Sequence, residues 1–159
     1  MTSPQDVVPA KEPSVEPVLW FAGRPAPELS RFFYEVVGGP WHWVDRLDWS
    51  DGQWLDWVDR PEHRLASCWV DGAPAGYFEL EQQGRSVEIA YFGLLSSFVG
   101  WGLGGWLLTE ALRSAWAFEG TERVWVHTCS LDGPAALTNY RRRGLRRYEE
   151  SIEWRRFAD

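Results

Sequence analysis

Apolar residues recur at helical spacing in some parts of the chain and cluster as in strands in others. A short apolar run at residues 18–22 is typical of a first strand. Residues 28–37 repeat apolar side chains at helical spacing, and the Gly38-Gly39-Pro40 sequence ends that helix. Residues 41–60 are rich in tryptophan and aspartate, and Ser50 is placed to cap a short helix within them. This part of the chain predicts one strand followed by two helices.

Strand patterns dominate the middle of the chain. Residues 64–70, 75–82 and 86–95 are separated by turn residues at Asp71-Gly72 and around Gly84, which predicts an antiparallel meander. A helix is predicted at residues 102–118, a strand at 123–128, a short helix at 134–143 and a last strand at 148–157. The order β-α-α-β-β-β-α-β-α-β predicts an α/β fold, with one mixed sheet covered on both faces by about four helices.

The first 17 residues differ from the rest of the chain. They hold four prolines among polar and charged residues without an apolar period, so we predict a mobile N-terminal tail at residues 1–17. Residues 18–159 are predicted to form a single domain, because 159 residues of which 45% are hydrophobic can bury one core. The sequence shows neither a secretory signal pattern nor a membrane-spanning apolar run, so we expect a soluble cytoplasmic protein without a membrane partner.

Charge and cysteine content argue against nucleic-acid binding, disulfide bonds and metal binding. The net charge is −7, and residues 1–100 carry 7 Lys+Arg against 15 Asp+Glu, which argues against a nucleic-acid partner. Cys68 and Cys129 lie in strand-like apolar runs without CxxC spacing. We therefore expect neither a disulfide nor a metal site, and two buried thiols.

Four glycines, at positions 100, 102, 104 and 105, lie between the end of a strand-like run and the start of a helix. Glycine lacks a Cβ, so backbone N–H groups can close around a ligand, and the helix N terminus adds aligned donors with partial positive charge. The pattern predicts an anion cradle, with a tightly packed structural turn as the alternative. Because the loop follows an antiparallel meander in mid-chain, it does not favour a dinucleotide-binding βαβ unit.

Residues 99–104, Val-Gly-Trp-Gly-Leu-Gly, resemble the acetyl-CoA motif Arg/Gln-x-x-Gly-x-Gly/Ala of the GNAT acetyltransferase superfamily. The resemblance implies that backbone amides hold the pyrophosphate of acetyl-CoA, and that the strand end near Leu94 pairs with the pantetheine arm. Val99 stands where the family prefers Arg or Gln. The cofactor-binding residues implied by the resemblance are Leu94, Val99, Gly100, Trp101, Gly102, Leu103, Gly104, Gly105 and Tyr140.

Residues 127–145 resemble the second motif of the same family, a strand followed by Asn-x-x-Ala-x-x-x-Tyr and Gly-Phe. Ala136, Tyr140, Gly144 and Leu145 fall into place, whereas Gly133 occupies the usual Asn position. The two motifs together span residues 86–145. They imply a mostly antiparallel, twisted sheet with splayed central strands, and a homodimer is one way to complete its edge.

An amine that attacks a thioester must lose a proton, and the departing thiolate must gain one or be stabilised. By resemblance to the family, Tyr140 is the candidate acid and Glu88 the candidate base. Glu79 and Glu81 on the neighbouring strand share one face by alternation, within reach of the same cleft, and His127 on the following strand is a further candidate. Glu79 and His127 are expected to contact the acceptor substrate. The alternatives are an amphipathic tyrosine, a solvated strand face and a buried histidine.

The aromatic and acidic segment at residues 41–57 falls where this fold usually forms the acceptor wall. Trp43, Trp54 and Trp57, with the aspartates between them, would suit a cationic or aromatic amine, so acidic amines are expected to be poor acceptors. Packing in the core is the alternative for each tryptophan.

A run of arginines follows the second motif. Its members are Arg141, Arg142, Arg143, Arg146 and Arg147. They would either pair with the nucleotide phosphates of CoA or form a solvated helix end that complements the helix dipole.

The resemblance implies an N-acetyltransferase that passes an acetyl group from acetyl-CoA to a primary amine by direct attack in a ternary complex. A tryptophan-walled pocket favours a small-molecule acceptor. Two alternatives remain open: acetylation of a protein N terminus or lysine, which needs an open groove, and a non-catalytic acyl-CoA sensor on the same fold.

Overall fold

A computed structural model describes residues 1–152 and contains four α-helices and five strands within them. The predicted order of elements is confirmed from the first strand to the last helix. The elements are β1 Val18–Phe21, α1 Pro27–Gly38, α2 Asp51–Val58, β2 His63–Val70, β3 Ala73–Gln83, β4 Ser86–Leu94, α3 Leu103–Trp116, β5 Arg123–Val126 and α4 Ala136–Arg142. In the last predicted strand, at 148–157, residues 148–152 are not in a strand, and the others lie outside the described residues.

The sheet follows the chain, in the order β1-β2-β3-β4-β5. The first four strands are antiparallel, and β5 pairs in parallel with β4. The β4–β5 pairing begins at Ser86 opposite Arg123 and ends at Ile89 opposite Val126. Since β4 continues to Leu94, its second half pairs with β3 alone among the described strands, and a gap opens beside it. The splayed strands that the resemblance implied are confirmed.

Local sequence signals account for the turns and for the start of α2. Asp71 and Gly72 have positive φ angles of 50° and 79°, as the two-residue turn between β2 and β3 requires. Ser50 and Gln53 form a reciprocal capping box at the start of α2.

The two faces of the sheet are covered differently. We call the side that carries α1 and α2 the α1 face, and the side that carries α3 and α4 the α3 face. Leu107 and Leu112 of α3 are fully buried in the larger core, together with Phe78 and Ile89 of the sheet. None of the helices within residues 1–152 has the length and apolar character needed to cross a bilayer.

The two cysteines differ in their surroundings. Cys68 is buried in the core of the α3 face, and burial raises the pKa of its thiol to about 11. Cys129 is exposed in the loop after β5, so the prediction that both thiols are buried is wrong for Cys129. The loop begins where β5 has already ended, which the apolar pattern did not reveal.

The N-terminal segment, residues 1–10, packs against the fold instead of forming the predicted mobile tail. Met1 exchanges two backbone hydrogen bonds with Val124, on β5. The amide of Val8 donates to the carbonyl oxygen of Arg143, and the amide of Ala10 donates to Thr109 Oγ1 on α3. Isolated apolar residues of the segment reach the core without any helical or strand period, so the pattern did not predict this docking.

Gly144→Ala tests this docking. Gly144 has a φ of 98°, and a Cβ there would overlap the carbonyl oxygen of Asp6. Gly120 has a φ of 74° and open space around its Cβ position, so Gly120→Ala measures the backbone cost alone, about 1–2 kcal/mol. We expect Gly144→Ala to lower the free energy of unfolding by at least about 1 kcal/mol more in urea titrations. Equal losses would show that the segment does not dock beside Gly144.

Candidate active site

The gap beside the second half of β4 connects the two faces of the sheet. Residues 91–94 stay paired with β3, and the described part of the chain places no strand on the other side of residues 90–94. Backbone N–H and C=O groups along such an edge are free to pair with an extended ligand. Leu94 is partly buried at the end of this edge, where the resemblance placed it.

A β-bulge at Ala90 sets which side chains of β4 face α1. Leu80 pairs with Ile89, but the next residue of β3, Glu79, pairs with Tyr91, so Ala90 is the extra residue. Tyr91 therefore lies on the α1 face together with Glu88, although simple alternation would place an odd and an even residue on opposite faces.

The glycine loop ends beside the open part of β4. Gly100 and Gly102 have φ angles of 92° and 79°, and a Cβ on either would meet no atom within 4 Å. Gly102 is the N-cap of α3 and forms no side-chain cap, so the first amides of the helix have no intrahelical or side-chain acceptor. Open space and free N–H donors at a helix N terminus fit the phosphates of CoA. Leu103 is buried beneath this turn, whereas Val99 and Trp101 are exposed.

Helix α4 lies against the first turn of α3 and brings Tyr140 to the gap. Asn139 Nδ2 donates to the carbonyl oxygen of Gly104 at 3.0 Å, which ties the two helices together. Tyr140 is buried, and its ring centroid lies 6.2 Å from that of Phe92, on the open half of β4. Burial raises the pKa of Tyr140, so the phenol keeps its proton over the physiological pH range.

Glu88 lies on the α1 face, one residue before the end of the β4–β5 pairing. Gln83 Nε2 donates to its carboxylate at 2.9 Å. Burial raises the pKa of Glu88, and the hydrogen bond from Gln83 opposes that shift. His127 is exposed just after β5, close enough to favour the charged form of Glu88. A partly buried carboxylate with a raised pKa is suited to accepting a proton.

Glu79 is 1% exposed and forms the centre of a buried hydrogen-bond cluster. Ser30 Oγ donates to its Oε1 at 2.6 Å, and Trp57 Nε1 and His63 Nε2 donate to its Oε2. The cluster joins α1, α2 and β2 to β3. Glu79 was predicted to contact substrate, and its burial and three donors give it a structural role instead. Glu81, on the same face, pairs with Arg60 at 2.7 Å.

The three tryptophans of the predicted acceptor wall differ in their exposure. Trp54 is 2% exposed and packs edge-on against Tyr34 between α1 and α2, so it does not face an open cleft. Trp57 is also buried, and its indole N–H is bound to Glu79. Trp43 is partly exposed, and its ring centroid lies 5.1 Å from that of Tyr91. Of the three, Trp43 alone has exposed surface next to Tyr91.

Arg46 occupies the aromatic faces that were expected to receive a cationic ligand. Its Cζ lies 4.2 Å from the ring centroid of Trp49, 3.8 Å from that of Trp57 and 4.6 Å from that of Tyr91. A cation of the chain itself therefore fills this aromatic cluster.

The model of the Acetyltransferase (GNAT) family matches residues 26–145, which is most of the chain. The chain belongs to the GNAT acetyltransferase family. No curated protein matches it at a significant level. The match covers the sheet from β2 to β5 and all four helices, including the glycine loop and α4.

Solved acetyltransferases share the fold. The chain is similar to an aminoglycoside acetyltransferase from an uncultured soil metagenomic sample, in complex with sisomicin, with 11% identity over 90% of this chain and 97% of that chain and a TM-score of 0.69. It is similar to AAC(6')-Iy in complex with the bisubstrate analogue CoA-S-monomethyl-acetylneamine, with 13% identity, coverage of 90% and 99%, and a TM-score of 0.68. It is also similar to ribosomal-protein-alanine N-acetyltransferase from Brucella melitensis biovar Abortus 2308, with 11% identity, coverage of 88% and 99%, and a TM-score of 0.65.

Three residues of the candidate site were not predicted from the sequence. Tyr91 was missed because the bulge that turns it to the α1 face leaves no mark in the apolar pattern. Arg46 looked like one charge in an acidic loop, and only the fold brings it to the tryptophans. Asn139 directly precedes Tyr140 in the second motif, and this position was the one sequence signal that could have indicated its contact with Gly104.

Glu79→Ala tests the buried cluster. The variant leaves three donors without an acceptor, and we expect it to lower the free energy of unfolding by about 3 kcal/mol or more. Glu81→Ala is the matched control on the same strand and face. Loss of its partly exposed ion pair with Arg60 should lower the free energy of unfolding by about 1 kcal/mol or less. Urea unfolding followed by tryptophan fluorescence measures both. Similar losses would contradict the central role of Glu79.

Proposed function

We propose that the protein transfers an acetyl group from acetyl-CoA to the amine of a small molecule. The observation that carries the proposal is the gap beside residues 90–94 of β4. On the α3 face it is bordered by the glycine loop and Tyr140, and on the α1 face by Glu88 and Tyr91. A gap between two strands allows two reactants to approach from opposite faces and meet.

The donor side of the site is proposed to bind acetyl-CoA, which supplies the acetyl thioester. The amides of Gly100 and of residues 102–104 are available to hold its pyrophosphate, whereas the amide of Trp101 donates to the carbonyl oxygen of Phe98. Neither Gly100 nor Gly102 has a neighbour that fills the space above it. The open edge of β4 up to Leu94 offers main-chain partners to the pantetheine amides. These contacts come from the backbone, so the Val at position 99 does not remove them.

Glu88 and Tyr140 are proposed to handle the two protons of the reaction. Glu88, directly or through a water molecule, accepts the proton that the attacking amine must lose as its C–N bond forms. Tyr140 stays protonated because it is buried, and it donates to the sulfur as the C–S bond breaks. Placement of Glu88 on the α1 face and of Tyr140 on the α3 face separates the two roles.

The acceptor is proposed to enter on the α1 face, next to Trp43, Tyr91 and Glu88. The partly exposed Trp43–Tyr91 pair offers an apolar surface to a small amine. Arg46 takes the ring faces of Trp49 and Trp57, so these tryptophans lend no support to a cationic acceptor. The named neighbours include enzymes for aminoglycosides and for a ribosomal protein, so protein acetylation remains the second candidate.

Gly102→Val is the direct test of the donor site. A branched side chain at a φ of 79° disturbs the turn and fills the space where the pyrophosphate is proposed to lie. Calorimetry should show CoA binding by the original protein and a loss of at least about tenfold in the variant. Gly120→Val, at a similar φ of 74° remote from the cradle, controls for strain and should bind normally. Equal binding by all three proteins would contradict the assignment.

Turnover is measured as thiol release from acetyl-CoA with small amines and with peptides that have free N termini. Release with small amines supports the proposal, and release with peptides alone favours the second candidate. If neither class of acceptor stimulates release, the proposed reaction is wrong.

The pH profiles of two variants separate the proposed roles. The pKa of Glu88 is raised by burial, so kcat/KM should rise with pH through that raised pKa until the base and the free amine are both deprotonated. Glu88→Gln should remove the rise of kcat/KM that follows the deprotonation of Glu88 at the acidic end of the profile. Tyr140→Phe should keep that rise and lower the plateau by about 100-fold. An unchanged rise in the first variant, or an unchanged plateau in the second, would refute the corresponding role.

A further inference from the structure

The glycine loop lacks a side chain that could neutralise phosphate charge. Val99 is 62% exposed and has no polar group, and the first turn of α3 contains no charged residue. Phosphate sites in proteins usually combine backbone donors with an arginine or lysine, because the guanidinium forms charge-assisted hydrogen bonds.

Arg143, the C-cap residue of α4, brings a guanidinium to this turn. Its Nη1 lies 3.0 Å from the position of a Cβ on Gly105, the third residue of α3. Its Nε is buried and has no hydrogen-bond partner, and none of the ion pairs within residues 1–152 includes Arg143. Its neighbours Arg141 and Arg142 are exposed, whereas Arg143 is partly buried. One arginine of the run therefore packs against the first turn of α3, next to the cradle, with an unused donor.

The N-terminal segment holds Arg143 in this place. The amide of Val8 donates to the Arg143 carbonyl oxygen at 3.2 Å. Ala10 packs its Cβ 3.1 Å from the same Cβ position on Gly105, and its own amide is bound to Thr109 Oγ1. Asn139, one turn earlier on α4, is bound to Gly104. Arg143 thus lies between α3 and a segment that packs on both helices, and a side chain at position 105 would collide with it.

We infer that Arg143 is a ligand of the acetyl-CoA pyrophosphate and supplies the charged side chain that position 99 lacks. The inference rests on the proposed function. It links three observations: Val at the position where the family prefers Arg or Gln, a buried guanidinium nitrogen without a partner, and an N-terminal segment docked beside the cradle. Arg143 binds the donor and takes no part in proton transfer, so its loss acts on binding.

Calorimetry with CoA and 3′-dephospho-CoA tests the inference on the 159-residue chain. Arg143→Gln should weaken both ligands by about 10- to 100-fold and by the same factor, since both contain the pyrophosphate. Arg142→Gln makes the same change in charge at the preceding residue, the last of α4, and its affinities should stay within about twofold of the original. Arg143→Lys keeps the charge and much of the packing, and should recover part of the affinity.

Each other outcome overturns the inference. Unchanged affinity in Arg143→Gln shows that the residue is only structural, and equal losses in Arg142→Gln show a general charge effect. A loss for CoA that is absent for 3′-dephospho-CoA moves the contact to the 3′-phosphate. Thermal unfolding of each variant separates lost binding from lost folding, and Arg143→Lys provides the test if Arg143→Gln is unfolded. Absence of CoA binding by the original protein is a different failure, because it removes the proposed function itself.

Discussion

The parting of β4 from β5 is the constraint on which the site depends. Parallel pairing stops at Ile89 and Val126, and the bulge at Ala90 follows directly. A bulge increases the local twist of a strand, which turns the rest of β4 away from a partner that has already ended. The result is an open main-chain edge inside the sheet, with α3 and α4 on one face and α1 and α2 on the other. Of the candidate site side chains, Glu88 and Tyr91 lie beside that edge on the α1 face and Tyr140 on the α3 face.

The α1 face is stabilised by polar groups as well as by apolar packing. Glu79 accepts hydrogen bonds from three elements, and a partner removed from such a buried cluster leaves donors unsatisfied at a cost of about 1–3 kcal/mol each. Because Trp57 is one of these partners, the helix that carries it is fixed over the bulge. The same packing holds Tyr91 edge-on to Trp57, 6.3 Å between ring centroids. A structural carboxylate thus positions the aromatic side of the site.

The sequence was a good guide to elements and motifs and a poor guide to side-chain neighbours. Strand and helix periods, the Ser50 cap and the glycine loop predicted the order of elements through α4, and with the family resemblance they indicated the splayed sheet. Glu79 and Trp54 were assigned to substrate because residue type and spacing cannot show which side chains the fold buries. The N-terminal segment docks through single contacts, so it has no period from which docking could be predicted.

Net charge is a weak guide to the acceptor because many of the charges are used within the fold. The excess of acidic residues in the first 100 positions suggested an attraction for cations. Glu79 is buried under three donors, Glu81 is paired with Arg60, and Arg46 fills the ring faces that a cation would need. Glu88 keeps one hydrogen bond and a raised pKa where the β4–β5 pairing ends and the gap begins. Selectivity among acceptor amines is therefore expected to depend on the shape of the Trp43–Tyr91 surface and on the proton affinity of Glu88. The net charge of the first 100 residues is expected to matter less.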